Sequence, residues 1–89
     1  MVFTGIVEGT GVVTKVNSID NFTRICIKTP SNFTDRIKVG ASVCVDGVCL
    51  TVSSIDGVNL SFDIIMETLN VTTFDDVKES DIVNLERSM

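Results

Sequence analysis

The sequence predicts an all-β fold, either an antiparallel barrel or a sandwich, on two observations. Turn-forming residues, chiefly Gly, Asn, Asp and Ser, recur at short intervals along the 89 residues. The runs between them are rich in β-branched and aromatic residues. Short strands separated by regular turn signals are typical of these two architectures. The predicted strands are residues 3–16, 22–29, 42–45, 48–55, 58–64 and 82–86.

The first run carries three glycines, Gly5, Gly9 and Gly11. Glycine inside a strand pattern often marks a bulge, a bend or a close approach of two backbones, so we expect one of these here. Helix is a minority element. Residues 31–37 are predicted to form a short turn, and residues 66–70 are too few for a stable helix unless they dock on the rest of the domain.

The segment SVCVDGVCLTV, residues 42–52, predicts a β-hairpin. Asp46-Gly47 is a strong signal for a two-residue turn, because such turns need positive φ angles that glycine adopts without steric cost. In the resulting register Cys44 faces Cys49 and Ser42 faces Thr51, and alternate side chains point to opposite faces. One face is aliphatic and the other small and polar. The aliphatic face holds Val43, Val45, Val48, Leu50 and Val52, and the polar face holds Ser42, Cys44, Cys49 and Thr51.

The polar face of this hairpin has two readings. A solvated sheet face more often carries Lys, Glu or Arg, so a short, uncharged, hydrogen-bonding face suits a surface that closes over a flat polar ligand. Alternatively, the cysteines and hydroxyls fill a second tight core layer, since Cys is among the most buried residue types. The pattern alone leaves both readings open.

The strands after the turn show one regular and one irregular pattern. Residues 58–64 alternate apolar and polar side chains, which predicts a strand with one apolar face. Ser53 and Ser54 interrupt the alternation between Val52 and Ile55, which predicts a bulge or a longer loop.

Composition restricts the classes of function. The chain is long enough for one small domain, and its net charge of −5 with no Trp or Tyr argues against nucleic-acid binding. No apolar run approaches the roughly 20 residues of a membrane span. We read no secretory signal in the sequence, and three cysteines are an odd number, so we expect a reducing cytoplasm.

The absence of histidine limits the chemistry. Histidine is the usual general base near neutral pH and the commonest metal ligand, and the cysteines lack the Cys-x-x-Cys spacing of zinc sites. We therefore expect no zinc site. Any reaction must use hydroxyl, thiol, carboxylate, amide or backbone groups, or chemistry supplied by the substrate.

Four stretches, MVFTGIVEGTG, VGASVCVDGVCLTV, SFDIIMETLNVTTF and SDIVNLE, together resemble the amino-terminal half of riboflavin synthase. The resemblance runs from residue 3 to about residue 87. It implies a six-stranded antiparallel Greek-key barrel with one or two short helical turns, normally followed by a second similar barrel. Residues 1–89 would then form a single lumazine- and riboflavin-binding barrel, the first of the two.

The resemblance also implies an activity. The family's enzyme moves a four-carbon unit between two molecules of 6,7-dimethyl-8-ribityllumazine, giving riboflavin and 5-amino-6-ribitylamino-uracil without a metal or redox cofactor. By matching motifs, the catalytic candidates are Cys49, Ser42 and Phe3. The ligand-binding candidates are Gly5, Ile6, Val7, Val48, Cys49, Leu50, Thr51, Asp63, Ile64, Ile65, Met66, Glu67 and Thr68.

The roles within this set stay open. The donor lumazine loses a proton from its C7 methyl group, which the ring eases by delocalising the anion, so the protein's task is mainly positioning and electrostatics. Cys49 is a candidate nucleophile, with Ser42, Thr51 or water as alternatives. The carboxylates Asp63 and Glu67 are equally suited to capping or loop hydrogen bonds.

Some positions depart from the family pattern. Ile65 and Met66 stand where the family more often has Met followed by Pro or Lys, so the loop over the ligand is expected to be shaped differently. Cys44 has no assigned role, and Asn84 lies in the closing strand without a certain one. The family's catalytic pocket forms between the first barrel of one chain and the second barrel of another, within a trimer.

Three hypotheses follow. The first is an enzyme half that binds lumazine and riboflavin, with little turnover alone and a homodimer of first barrels mimicking the natural pair. The second is a non-catalytic antenna protein, because the lumazine and flavin fluorescent proteins of luminous bacteria share this fold and resemble the segment TTFDDVKESDIVNLE. The third is an unrelated β-barrel binding module, which would make the matching motifs a coincidence. Ser42, Cys49 and the METL segment favour the first.

Overall fold

The chain folds into a closed antiparallel barrel of six strands in the computed structural model, which describes residue 3 and residues 5–19, 22–65 and 77–88. Around the barrel the strand order is β1-β2-β5-β4-β3-β6, and β6 returns to β1. Because β2 neighbours β5 and β6 lies between β3 and β1, the connectivity is of the Greek-key type. The strands are β1 (Gly9–Ile19), β2 (Phe22–Lys28), β3 (Ser42–Val45), β4 (Val48–Asp56), β5 (Asn59–Ile65) and β6 (Ile82–Arg87). The predicted six-stranded antiparallel barrel is confirmed.

The first strand begins later than the sequence pattern predicts. β1 starts at Gly9 rather than at residue 3 and continues to Ile19, beyond the predicted end at residue 16. Gly5 has a φ of +81°, a left-handed conformation that interrupts an extended strand. The chain before β1 still follows β6, since the Glu8 N–H donates a hydrogen bond to the Leu85 carbonyl at 2.8 Å.

Two bulges interrupt the ladders. The predicted one is confirmed, because the β4–β5 register shifts between Val52 and Ser54. The Ser53 hydroxyl there donates to the Ser61 carbonyl at 3.0 Å. The second, in β1 between Val13 and Lys15, was not predicted, although Thr14 and Lys15 interrupt the alternation between Val13 and Val16 in the same way. Bulges bend a strand and increase its twist, which helps a small sheet to close.

Most aliphatic side chains of the strands point into the barrel and form one core. Gly11 lines this core where a Cβ atom would lie 2.6 Å from Ile27 Cγ2 and 2.9 Å from Leu85 Cδ1, so the predicted close approach occurs there. The loop residue Phe33 completes the core and lies under the Arg87 guanidinium, 5.4 Å from the ring centroid. The buried apolar residues are Val13, Ile25, Ile27, Phe33, Val43, Val45, Leu50, Val52, Leu60, Phe62, Ile64, Val83 and Leu85.

The segment after β2 forms turns but not a helix. Its hydrogen bonds run from the Phe33 N–H to the Pro30 carbonyl (3.2 Å) and from the Ile37 N–H to the Thr34 carbonyl (3.1 Å). These i to i+3 bonds do not follow one another residue by residue, so the expected helical turn is a series of separate turns. The second expected helical turn, residues 66–70, lies outside the described residues. The ranges that are described contain no helix with the length and apolar character of a membrane span.

Candidate functional site

The β3–β4 hairpin has the predicted turn and register. Asp46 and Gly47 have φ angles of 48° and 85°, as a type I′ turn requires. Cys44 is opposite Cys49, and Ser42 is opposite Thr51. The Asp46 N–H donates to the Asn84 carbonyl (2.9 Å), and Asp46 Oδ1 accepts the Asn84 N–H (2.7 Å), so the turn is fixed to β6.

The two faces of the hairpin differ as the alternation predicts. The valines at 43, 45 and 52 are almost fully buried in the barrel. We call Ser42, Cys44, Cys49 and Thr51 the outer hairpin face. Ser42 is buried and Cys44 is half-buried, but Cys49 and Thr51 are exposed. This face is therefore open to solvent at two of its four positions, which disfavours the reading of a sealed second core layer.

The ladder between β4 and β5 ends beside this face. Its last described pair is Val52 with Phe62, although β4 continues back to Val48 and β5 continues to Ile65. Backbone groups of successive residues point to opposite neighbours. Because the N–H and carbonyl of Val52 bond to Ala41 and Gly40 on the β3 side, those of Thr51 and Cys49 point toward β5. The Thr51 N–H thus lies at the β5 edge of the outer hairpin face.

The residues before β1 are fastened to two consecutive residues of β6. We call residues 5–8 the N-terminal strap. The Gly5 N–H donates to Glu86 Oε2 at 3.1 Å. The Glu8 carboxylate accepts the Arg87 backbone N–H at 2.5 Å and the Arg87 guanidinium at 2.8 Å. The strap is therefore held beside the outer hairpin face by one buried and one half-exposed carboxylate.

A cleft of about 130 Å³ opens between the strap and the barrel wall. Cys44 and Glu86 are paired across β3 and β6, so Cys49, Cys44 and Glu86 form one row across three strands. Glu86 is only 6% exposed. The lining residues are Gly5, Val7, Cys44, Gly47, Asn84, Leu85 and Glu86.

The electrostatics of this region shift the pKa values of Cys44 and Glu8, and pairing with Glu8 raises the pKa of Arg87. Burial raises the pKa of the Cys44 thiol, the backbone of Gly47 opposes this by hydrogen bonding, and the nearby Glu86 carboxylate adds to the increase. The hydrogen bonds from Arg87 lower the pKa of Glu8. Cys44 is accordingly a protonated thiol near neutral pH.

A family model for the lumazine binding domain matches residues 4–88. The chain belongs to the lumazine-binding domain family. Riboflavin synthase of Escherichia coli (strain K12) is 42% identical over 86 residues, covering 97% of this chain and 40% of that enzyme. Riboflavin synthase of Chlamydia pneumoniae is 39% identical over 87 residues, covering 98% and 44%. The predicted resemblance to the amino-terminal half of riboflavin synthase is confirmed.

Solved structures of LumP have the same fold. LumP complexed with riboflavin has a TM-score of 0.90 at 35% identity, covering 97% of this chain and 46% of that one. LumP complexed with 6,7-dimethyl-8-(1'-D-ribityl) lumazine has a TM-score of 0.90 at 34% identity, covering 99% and 48%. The lumazine-binding domain described here thus spans less than half the length of these relatives.

The structure brings together only some of the predicted site residues. Ser42, Cys49 and Thr51 share the outer hairpin face, and Val48 lies half-buried at its turn. The side chains of Leu50 and Ile64 are in the core, so only their backbone groups are available to a ligand.

Other predicted residues lie at the margins of this region. In the strap, Gly5, Ile6 and Val7 are exposed, and Phe3 before it is half-buried. Asp63 forms a bidentate ion pair with Arg24, with N–O distances of 2.8 and 3.2 Å. Ile65 ends β5, and Met66, Glu67 and Thr68 lie outside the described residues.

Glu86 was missed by the sequence patterns. Its carboxylate is buried next to Cys44 and accepts a hydrogen bond from the strap. Its position beside β3 depends on the closure of the barrel by β6, which no local pattern reveals. The one available signal is its charge in a strand that otherwise buries Val83 and Leu85. Among the described residues, no three His, Cys, Asp or Glu side chains gather as a metal site would require.

Proposed function

We propose that this lumazine-binding domain holds 6,7-dimethyl-8-ribityllumazine or riboflavin against the outer hairpin face. The observation that carries the proposal is a short, uncharged and partly exposed face bordered by backbone groups at the end of the β4–β5 ladder. A planar heterocycle needs a flat floor with small side chains and a few directed polar groups at its edge. The LumP complexes with riboflavin and with the lumazine support this assignment.

The backbone of β4 would read the edge of the ring. The Thr51 N–H points toward β5 past the last described pair of the ladder, Val52 with Phe62. Alternating donors and acceptors along a strand match the alternating C=O and N–H groups of a pyrimidine edge. The hydroxyls of Ser42 and Thr51 supply further hydrogen bonds from the floor. The strap would lie along the other side of the ligand, opposite β5.

In a complete riboflavin synthase this domain would hold one of the two reacting lumazines. The reaction then requires a second ring, placed face to face with the first by another barrel. The donor ring loses a proton from its C7 methyl group, and the delocalised anion attacks the partner ring. Cys49 is exposed at the site and can supply a nucleophile, with Ser42, Thr51 or water as alternatives. No cofactor is part of the proposal.

The second barrel or a second copy would meet the domain on an apolar surface. Val12 of β1 and Ile82 of β6 form a cross-strand pair, and both are exposed. Ile6 and Val7 of the strap are also exposed. Exposed apolar side chains favour contact with another protein surface. We therefore propose that the isolated domain forms a homodimer through the exposed Val12–Ile82 pair.

A non-catalytic antenna function is the alternative. The LumP structures, which match this chain at TM-scores of 0.90, favour it because they show the same fold holding intact lumazine and riboflavin. Binding alone does not separate the two functions, since both need the same floor. Turnover separates them.

The test is a fluorescence titration of the purified domain with riboflavin and with 6,7-dimethyl-8-ribityllumazine, followed by a product assay on the same samples. Binding of both ligands without riboflavin formation would support a binding domain whose catalytic partner is another barrel. Riboflavin formation would mean that two first barrels assemble a working pocket. A folded domain that binds neither ligand would refute the proposed function.

A further inference from the structure

The outer hairpin face carries two cysteines directly opposite each other. Cys44 of β3 and Cys49 of β4 are cross-strand partners, and both are thiols in this structure. Their side chains point to the same face of the sheet because cross-strand partners share a face. The proposed function places Cys44 on the floor of the site but assigns its thiol no hydrogen bond to the ligand and no chemical step.

The pair is of the type that a disulfide can bridge. The type I′ turn makes Val45 and Val48 a hydrogen-bonded pair, and antiparallel pairs alternate along the ladder. Cys44 and Cys49 are therefore a non-hydrogen-bonded pair, whose Cα atoms are typically about 4.5 Å apart. Disulfides span Cα separations of about 4.4–6.8 Å, so this pair can close with little backbone movement.

The two thiols differ in their exposure to solvent, and this difference sets the order in which they react. Cys49 is exposed and Cys44 is half-buried, so an oxidant in solution reaches Cys49 first. Burial raises the pKa of Cys44, which lowers its thiolate fraction and makes it the less reactive of the two toward an oxidant in solution. The third thiol, Cys26, lies in β2, which is not a neighbour of β3 or β4. Its Sγ is 3.4 Å from Ser61 Oγ.

We propose that Cys44 and Cys49 are a reversible redox site that closes to a disulfide across the hairpin. The oxidant is a small-molecule disulfide. The Cys49 thiol loses its proton and attacks one sulfur of the oxidant, forming a mixed disulfide and releasing one thiol. Cys44 then loses its proton and attacks Cys49 Sγ, which forms the protein disulfide and releases the second thiol. Two electrons pass from the protein to the oxidant, and a dithiol reductant reverses the reaction.

The site lies on the floor that we assign to the ligand, and this part of the inference rests on the proposed function. A ring seated on the outer hairpin face covers Cys49, so the oxidant reacts only with ligand-free protein. The rate of disulfide formation should then fall by the factor 1 + [ligand]/Kd. By linkage, riboflavin binding disfavours the Cys44–Cys49 disulfide, and the disulfide weakens riboflavin binding to the same extent.

The first arm of the experiment uses oxidised glutathione and no ligand. Intact mass should decrease by the mass of two hydrogen atoms, and reactive thiols should fall from three to one per chain. Peptide mapping should join the peptide of Cys44 to that of Cys49. Cys44→Ala should instead gain one glutathione at Cys49 and form no protein disulfide, whereas Cys26→Ala should still form it. A wild-type chain that gains only mixed disulfides under these conditions overturns the proposal.

The second arm repeats the oxidation with riboflavin at about ten times its Kd, which should slow disulfide formation about tenfold. Riboflavin that binds without slowing the reaction would show that Cys49 is not under the ligand, which overturns the link to the binding site. If the titration shows no riboflavin binding, the proposed function fails, whereas a disulfide formed in the first arm still establishes the redox site.

Discussion

Two outer faces of the same barrel differ sharply in their side chains. The outer hairpin face on β3 and β4 is short and uncharged, whereas the corresponding face on β2 and β5 carries the ion pair of Arg24 with Asp63. Lys28 with Asn59 is a further polar cross-strand pair on this face, and the small pair Cys26–Ser61 lies between these two pairs. Both faces cover the same aliphatic core. The core therefore does not require small residues on an outer face.

The β2–β5 face carries the charged and polar side chains that are typical of a solvent-exposed sheet face in a small barrel. Charged side chains there remain hydrated and form exposed pairs that contribute little to stability. The outer hairpin face instead leaves space above the backbone and exposes polar groups without charge. The contrast within one sheet supports a ligand-binding role for the hairpin more directly than its composition alone.

The largest expected effect comes from filling this space. Thr51→Arg places a long, charged side chain on the outer hairpin face and should weaken riboflavin binding by at least about thirtyfold, or about 2 kcal/mol. Binding should weaken because the long side chain excludes the ring from the face. The fold should be unaffected, since Thr51 is exposed and does not contact the core. Fluorescence titration measures the Kd, and circular dichroism checks that the variant is folded.

Ser54→Arg is the matched control for this variant. Ser54 is exposed on the same strand but lies beyond the bulge, opposite Ser61. It adds the same charge to the chain and should leave the riboflavin Kd within about twofold of the wild-type value. Equal weakening by both variants would mean that added charge or bulk on β4, rather than the outer hairpin face, determines binding.

A smaller effect is expected from releasing the strap. Glu86→Leu removes the acceptor of the Gly5 N–H and should cost about 1.5 kcal/mol in unfolding free energy, at the low end for a hydrogen bond to a carboxylate because Gly5 is exposed. Riboflavin affinity should fall about threefold, because the strap lines the cleft beside the hairpin. Urea unfolding and the titration measure the two effects.

Glu86→Gln separates the hydrogen bond from the charge. Its side-chain oxygen can still accept the Gly5 N–H, so the Gly5 amide should exchange with solvent more slowly than in Glu86→Leu. Hydrogen exchange followed by NMR reports this directly. If Gly5 exchanges equally fast in both variants, the strap is held by contacts other than Glu86.

How far the sequence predicts this molecule depends on the range of each interaction. Every cross-strand pair of the hairpin was predicted correctly, because the Asp46-Gly47 turn and the alternation of side chains beside it act within a few residues. The Val52–Ser54 bulge was predicted for the same reason. The predicted start of β1 was wrong, because the left-handed conformation of Gly5 interrupts the extended chain. The alternation of apolar and polar residues gives no sign of this conformation.

The parts that the sequence did not predict depend on barrel closure. Glu86 lies beside Cys44 only because β6 inserts between β3 and β1. The hydrogen bonds between Asp46 and Asn84 have the same origin. Of the predicted site, Ser42, Cys49 and Thr51 are brought together as expected, whereas the roles of Met66, Glu67 and Thr68 stay predictions.

The pH dependence of stability tests the second attachment of the strap. The pKa of Glu8 is lowered by Arg87 in the folded chain, so the unfolded chain binds a proton at a higher pH than the folded one. The pair therefore stabilises the fold above about pH 4.5, and this contribution is lost as the pH falls below that value. Both side chains are about one-third exposed, so we expect less than about 1 kcal/mol.

The variant Glu8→Gln provides the reference for this measurement. The wild-type chain should be the more stable of the two at pH 7, and the difference should disappear as Glu8 becomes protonated. Urea unfolding should be measured at low protein concentration. The pH range of the experiment includes the pI of about 4.4, where a protein without net charge associates most readily. A difference that persists after Glu8 has become protonated would assign the stability to packing of the Glu8 side chain rather than to its charge.

The smallest effect on stability and on riboflavin binding is expected from a substitution on the β2–β5 face. The side chains of Arg24 and Asp63 are 46% and 34% exposed, so water and salt screen their ion pair. Arg24→Gln should leave both the unfolding midpoint and the riboflavin Kd unchanged within error, although the ion pair has bidentate geometry. A clear loss of riboflavin binding would show that Arg24 orients Asp63 for the ligand, and the binding surface would then extend onto β5. An unchanged Kd, together with the loss in Thr51→Arg, would confine the ligand to the outer hairpin face.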